Sequence, residues 1–197
     1  MKYAKMLGLL AVAAAALMAF AGTASATQVT SPSGTLYTGA LTATNVGGLT
    51  LHGVADVTCN NSTVSGSIES HGASVTAKGK IGTGNLTFTN CNQHVKVLAE
   101  GSLEAHASGG AGGGTLTSSG AEVTVEFTTI FGNVHCVFGT SNTLVGNVTA
   151  ATENGTHATL DIDSSPIPVK SGSFLCGSSA EWTGNYKVTS PTGLRLD

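Results

Sequence analysis

The stretch that most limits what this chain can become is Ala121-Glu122-Val123-Thr124-Val125-Glu126-Phe127-Thr128. Apolar and polar residues alternate there without a break. A period of two puts successive side chains on opposite faces of an extended backbone, so one face suits a core and the other suits water. A helix would scatter both classes around its circumference. The rest of the chain agrees. Strong helix formers are scarce, Thr, Val, Ser and Gly dominate, and β-branched residues fit pleated surfaces. Short alternating runs punctuated by Gly and Asn predict an all-β domain of about ten to twelve strands.

Residues 34–37 and 40–44 are candidate first strands, with Asn45-Val46-Gly47-Gly48 as a turn. Leu49, Leu51, Gly53, Ala55, Val57 and Cys59 then share one parity and one face, opposite Thr50, His52, Asp56 and Thr58. Further strands are expected around Val64 to Ile68, over 73–77, 86–91, 95–100 and 143–148, and over 156–163. Lys78-Gly79-Lys80 reads as a charged turn or edge. Residues 108–114, all Ser, Gly and Ala, read as a flexible connector. Glu153-Asn154-Gly155 is a hairpin signal, because Asn-Gly tolerates positive φ. Pro166 and Pro168 are expected to break a strand or to mark an edge.

The N-terminus has the layout of an export signal: Lys2 and Lys5, an apolar run from Met6 to Phe20, and Ala24-Ser25-Ala26 as the cleavage site. That divides the chain into a signal peptide (1–26) and a secreted domain (27–197), with no integral membrane segment left after cleavage. The apolar run is too short for an ordinary spanning helix. Without Lys2 and Lys5, the 8 Lys plus Arg become 6 against 11 Asp plus Glu, a net charge of −5. Nucleic acid is excluded as a partner, since phosphate needs a basic face.

Four cysteines in an exported chain predict two disulfides, with three connectivities open. Cys59 is followed by Thr63-Val64-Ser65-Gly66-Ser67-Ile68, and Cys136 by Thr143-Leu144-Val145-Gly146-Asn147-Val148. Both read Thr-apolar-x-Gly-x-apolar. Phe88 precedes Cys91 and Phe174 precedes Cys176. A duplication into halves of about 27–107 and 115–197, joined by the Gly-rich loop, would keep each disulfide within its own half. The favoured pairs are therefore Cys59–Cys91 and Cys136–Cys176. Each would close a loop of about 30–40 residues, worth roughly 3.5–4 kcal/mol. No paired Cys/His spacing supports zinc.

Several segments are shared with known exported proteins. They are the export signal, Val57-Thr58-Cys59, Thr87-Phe88-Thr89-Asn90-Cys91, and the closing Leu175-Cys176 with Glu181-Trp182, Tyr186 and Val188-Thr189-Ser190-Pro191. In these the chain resembles small exported disulfide-containing β proteins of actinobacteria and, more distantly, the PraB alkane-oxidation-activator family. The resemblance implies an extracellular β-rich protein linked to hydrophobic substrates or to biofilm matrix, and it brings no catalytic residues. Where some members carry a Leu-Pro-Trp-like segment, this chain reads His94-Val95-Lys96-Val97.

Candidate sites are few. His52, His71, His94, His106, His135 and His157 stand singly, as on strand faces. Asp161 and Asp163 share a face but lack the Gly-containing loop of a calcium site. Glu122 and Glu126 lie roughly 13 Å apart along a strand, beyond the approximately 5–9.5 Å of glycosidase carboxylate pairs. No nucleophile elbow, zinc-protease or phosphate-loop motif occurs. Asn60, Asn61, Asn85, Asn147 and Asn154 begin Asn-x-Ser/Thr sequences, read as turn chemistry. Trp182 and Tyr186 share a face, either as core against a disulfide or as an exposed platform for sugar or hydrocarbon.

The sequence thus predicts a single-domain antiparallel β-sandwich with two disulfides and with no catalytic, cofactor or metal residues. The expected role is that of a secreted or cell-surface structural or adhesive component that contacts envelope, glycan or its own copies. The alternative is an extracellular module for a hydrophobic or carbohydrate ligand.

Overall fold

The structure is a computed structural model and describes residues 27–53, 55–72, 75–78, 85–107, 113–149, 151 and 157–196. Its strands are β1 (Val29–Thr30), β2 (Ala40–His52), β3 (Val57–Ser70), β4 (Val75–Lys78), β5 (Leu86–Cys91) and β6 (His94–Ala107). They continue as β7 (Gly113–Thr129), β8 (Gly132–Gly139), β9 (Thr143–Thr149), β10 (Thr159–Gly172), β11 (Ser179–Ser190) and β12 (Arg195–Leu196). A short 3-10 turn, Phe174–Cys176, precedes β11. There is no α-helix among the described residues.

β1 pairs with β12, and the other strands pair in a ring. β3 carries β5 along Cys59–Val64 and β4 along Ser67–Ser70. β7 carries β9 along 113–118 and β8 along 122–129. Each of these pairs of short strands runs head to tail and fills one position. The ring therefore has eight positions, β2, β3, β4 with β5, β6, β7, β8 with β9, β10 and β11, and β11 closes on β2. All pairings are antiparallel. The all-β antiparallel fold with Cys59–Cys91 and Cys136–Cys176 is as expected. The two facing layers of a sandwich are present and the ladders join them at both sides. Leu49 and Val57 of one layer line the same space as Val123 and Val125 of the other.

Alternation explains the core. Val125 and Phe127 of β7 are buried with Leu49, Val57 and Cys59. One end is closed by β1 and β12, where Val29, Leu194 and Leu196 are buried. Both disulfides lie at the other end. There Ala55 and Val57 share a small cavity with Val125, Cys136 and Cys176.

Three expectations need correction, and one is decided between its two alternatives. Asn45–Gly48 is not a turn: β2 runs through it with a bulge between Thr44 and Leu49. The Asn45 amide donates to the Gly47 and Asn60 carbonyls and its oxygen accepts from Ser62 N–H, while Gly47 supplies the positive φ. Pro166 and Pro168 mark an edge, one of the two expected outcomes, and do not break β10. They pair with β11, and the opposite edge of β10 is unladdered between Ile162 and Val169, so no donor is missed there. Gly113 and Gly114 belong to β7, and β6 and β7 pair down to Ala107 and Gly114. The rest of that expected connector, residues 108–112, lies outside the described residues. Asn60, Asn61 and Asn147 lie within strands. The Glu153-Asn154-Gly155 signal and Gly79-Lys80 lie outside the described residues.

The matched segments 63–68 and 143–148 occupy ring positions four apart, on opposite walls. Ile68 and Val148 are both buried.

Candidate functional site: the interior of the ring

An eight-position barrel has an interior that side chains can fill or that can hold one small ligand. Here the filling is incomplete. Three cavities follow the interior from one end to the other. Near the disulfides is one of about 70 Å³, bordered by Leu49, Phe88, Val95, Val123 and Trp182. The middle one, also about 70 Å³, is bordered by Val64, Leu86, Glu100, Leu103 and Trp182. The third, about 90 Å³, lies under the terminal strands among Val29, Leu116, Val148 and Leu194. Neighbours share walls: Leu86, Ala121 and Trp182 between the first and second, Leu41, Leu103 and Leu160 between the second and third. Each has the volume of about two or three waters; the first and third are lined almost wholly by apolar groups, while Ser65, Asn85, Glu100 and Ser118 also border the middle one.

Trp182 and Tyr186 share a face, as their parity requires, and it is the inner one. Tyr186 is 1% exposed and Trp182 is half-buried. The Tyr186 hydroxyl lies 2.9 Å from Ser62 Oγ. Burial pushes the phenol well above its ordinary pKa, against a smaller lowering by the Ser62 bond, and keeps it neutral. The Trp182 ring stands edge to face with Phe88 at 6.3 Å and with Tyr186 at 6.4 Å, a favoured aromatic arrangement. Gly184, between them in sequence, leaves the space that the end of the Leu49 side chain occupies.

Among the described residues the ring is unladdered along β10 between Ile162 and Val169 and, beside the cavities, between β5 and β6. β5 pairs with β3, and β4 pairs with β6, but no ladder joins β5 to β6 among the described residues. The slit opens beside Leu86, Phe88 and Val95, which line the cavities. Glu100 sits along it. Strict alternation from Val95 and Val97 would turn Glu100 outward. A bulge between Val97 and Ala99 shifts the register, and Glu100 pairs with inward-facing Ala121. Gly101 and Gly120 then turn both strands back, each at positive φ. Glu100 Oε1 accepts from Asn85 N–H at 2.7 Å, across the slit. Its Oε2 is buried with no hydrogen-bond partner among the described residues. An unmatched buried acceptor costs about 1–3 kcal/mol.

The remaining candidates lie outside the cavities. His94, Glu126 and His135 form one cross-strand row. The histidine Nδ1 atoms are 3.1 and 3.2 Å from the two Glu126 oxygens. These residues are far apart in sequence, and only the registers of β6, β7 and β8 bring them together. Glu122 pairs with Gly139 and Ala99 instead. His52 meets Asp56 at 3.2 Å on the surface, and His106 is 4.0 Å from Glu104. His71 Nδ1 accepts from Val29 N–H, and His157 Nδ1 contacts the Val188 carbonyl at 2.7 Å. Asp161 accepts from the Thr159 hydroxyl, while Asp163 is exposed. No group of three or more metal-ligating side chains with suitable geometry occurs among the described residues.

The disulfide end carries large exposed apolar side chains. Ile130 (93% exposed) and Phe131 (82%) form the tip between β7 and β8, and Phe174 (91%) lies on the turn after β10. No helix among the described residues is long and apolar enough to cross a membrane. No protein-family model, curated protein or solved structure matches the chain.

Proposed function

We propose that this is an extracellular, non-enzymatic protein that binds an unbranched apolar chain inside the ring. The observation that carries this reading is the series of three adjoining, largely apolar cavities, with Trp182 at the wall between the first two. Each is too small for a ring system, whereas cavities in line suit a thin, flexible alkyl chain. Burying eight methylenes at about 0.8 kcal/mol each yields roughly 6 kcal/mol before ordering costs, so affinities should be micromolar to millimolar. The slit between β5 and β6, beside Leu86 and Phe88, is an entry route that needs no ladder hydrogen bond broken. Export is supported by the signal-like N-terminus and the two disulfides.

Trp182 is the one tryptophan in the chain, so its fluorescence reports the interior. Eight-carbon chains should shift it saturably. Ala121→Phe and Leu103→Phe, each filling a shared wall, should weaken binding at least tenfold while the fold persists by circular dichroism. A flat titration, or binding unchanged in both folded variants, would contradict the reading.

A second reading, a structural or adhesive envelope component, is favoured by Ile130, Phe131 and Phe174. Serine at all three positions should move the protein from the cell-wall or matrix fraction into the medium. Unchanged partitioning would count against it.

A further inference from the structure

We infer that the bound chain carries a hydrogen-bond-donating head, a hydroxyl or a primary ammonium, which docks on Glu100 Oε2 at the slit. This rests on the interior-binding reading above and specifies its ligand class.

Three observations converge on Glu100. The bulge between Val97 and Ala99 turns this one residue of the run toward the middle cavity, and Gly101 and Gly120 restore the outward alternation after it. One carboxylate oxygen is fixed by Asn85 N–H across the slit at 2.7 Å. The other is buried and has no hydrogen-bond partner among the described residues. It borders a cavity whose other walls include Leu86, Leu103 and Trp182. An ionised carboxylate only accepts, so the group that completes it must donate. A carboxylate head has no donor to offer Oε2. The geometry also sets the pose: the head at the slit, and the chain running past Trp182 or Leu103.

The test compares four eight-carbon probes, 1-octanol, octylamine, octanoate and octane, by Trp182 fluorescence on the full mature protein and on E100Q. Wild-type protein should bind octanol and octylamine about tenfold tighter than octane, and octanoate more weakly than octane. E100Q keeps an acceptor for Asn85 N–H and presents an amide donor to the cavity. It should lose the preference for octylamine and should bind octanoate at least as well as octane. A stronger gain for octylamine than for octanol would identify the ammonium as the preferred donor. Octane binding without any ranking by head group overturns this inference alone, as does an unchanged ranking in folded E100Q. Failure of all four probes overturns the interior-binding reading beneath it as well. Should E100Q not fold, the wild-type ranking decides.

Discussion

Two ring positions are each filled by two short strands, and they are finished differently. On one side, β8 and β9 are laddered on both edges, to β7 and to β10. On the other, β5 is laddered only to β3, and its far edge faces β6 across the slit. Each side has its own disulfide, but the bonds do different jobs. Cys136–Cys176 joins β8 to the turn after β10, and both cysteines are 1% exposed. Cys59–Cys91 joins directly opposed residues of β3 and β5, so it holds a strand that has one partner only. One wall is thus laddered on both edges except along residues 163–168 of β10, and the other leaves β5 with one laddered edge.

The largest expected effect comes from cutting these bonds. C136A/C176A should lower global stability by about 4 kcal/mol or more, because lost loop closure adds to a vacancy in the core. C59A/C91A should cost about 3.5 kcal/mol, and β5 should in addition open locally. Denaturant melts give the totals, and hydrogen exchange separates the modes: β5 amides should exchange well below the global unfolding free energy, whereas β8 amides track it. Equal protection of β5 and β8 in the two variants would erase the contrast.

A smaller effect sharpens the same point on the doubly laddered side. Gly146 lies at positive φ, and a Cβ there would collide with the Asp161 carbonyl of β10. Gly146→Ala should therefore cost about 2 kcal/mol by thermal or chemical melting. Ser62→Ala removes the partner of the buried Tyr186 hydroxyl and should cost about 1–3 kcal/mol. Adding Tyr186→Phe should recover part of that loss, since the orphaned hydroxyl goes with it. The smallest effect belongs to the outer face. Glu126→Gln breaks contacts with two exposed histidines and should change stability by about 0.5 kcal/mol or less, measured against the same melts.

Much of the fold is legible in local pattern. Strict alternation in 121–128 places Val123 and Val125 inward, and the repeated Thr-apolar-x-Gly-x-apolar segments point to the disulfide pairing. The parity of Trp182 and Tyr186 puts them on one face, though parity cannot say that the face is interior. What stays hidden is set by backbone irregularity and by register between distant strands. Pro166 and Pro168 fit a break or an edge until the unladdered edge of β10 is seen. Glu100 counts as outward by alternation, and a single bulge reverses it. The His94–Glu126–His135 row exists only because three strands align.

The central claim is that an alkyl chain occupies the interior next to Trp182. It is tested most directly by intermolecular nuclear Overhauser effects between 1-octanol and the folded protein. Cross-peaks are expected from the octanol methylenes to the Trp182 ring and to the methyls of Leu86 and Leu103. Cross-peaks confined to Ile130, Phe131 and Phe174, or none at saturating octanol, would contradict it.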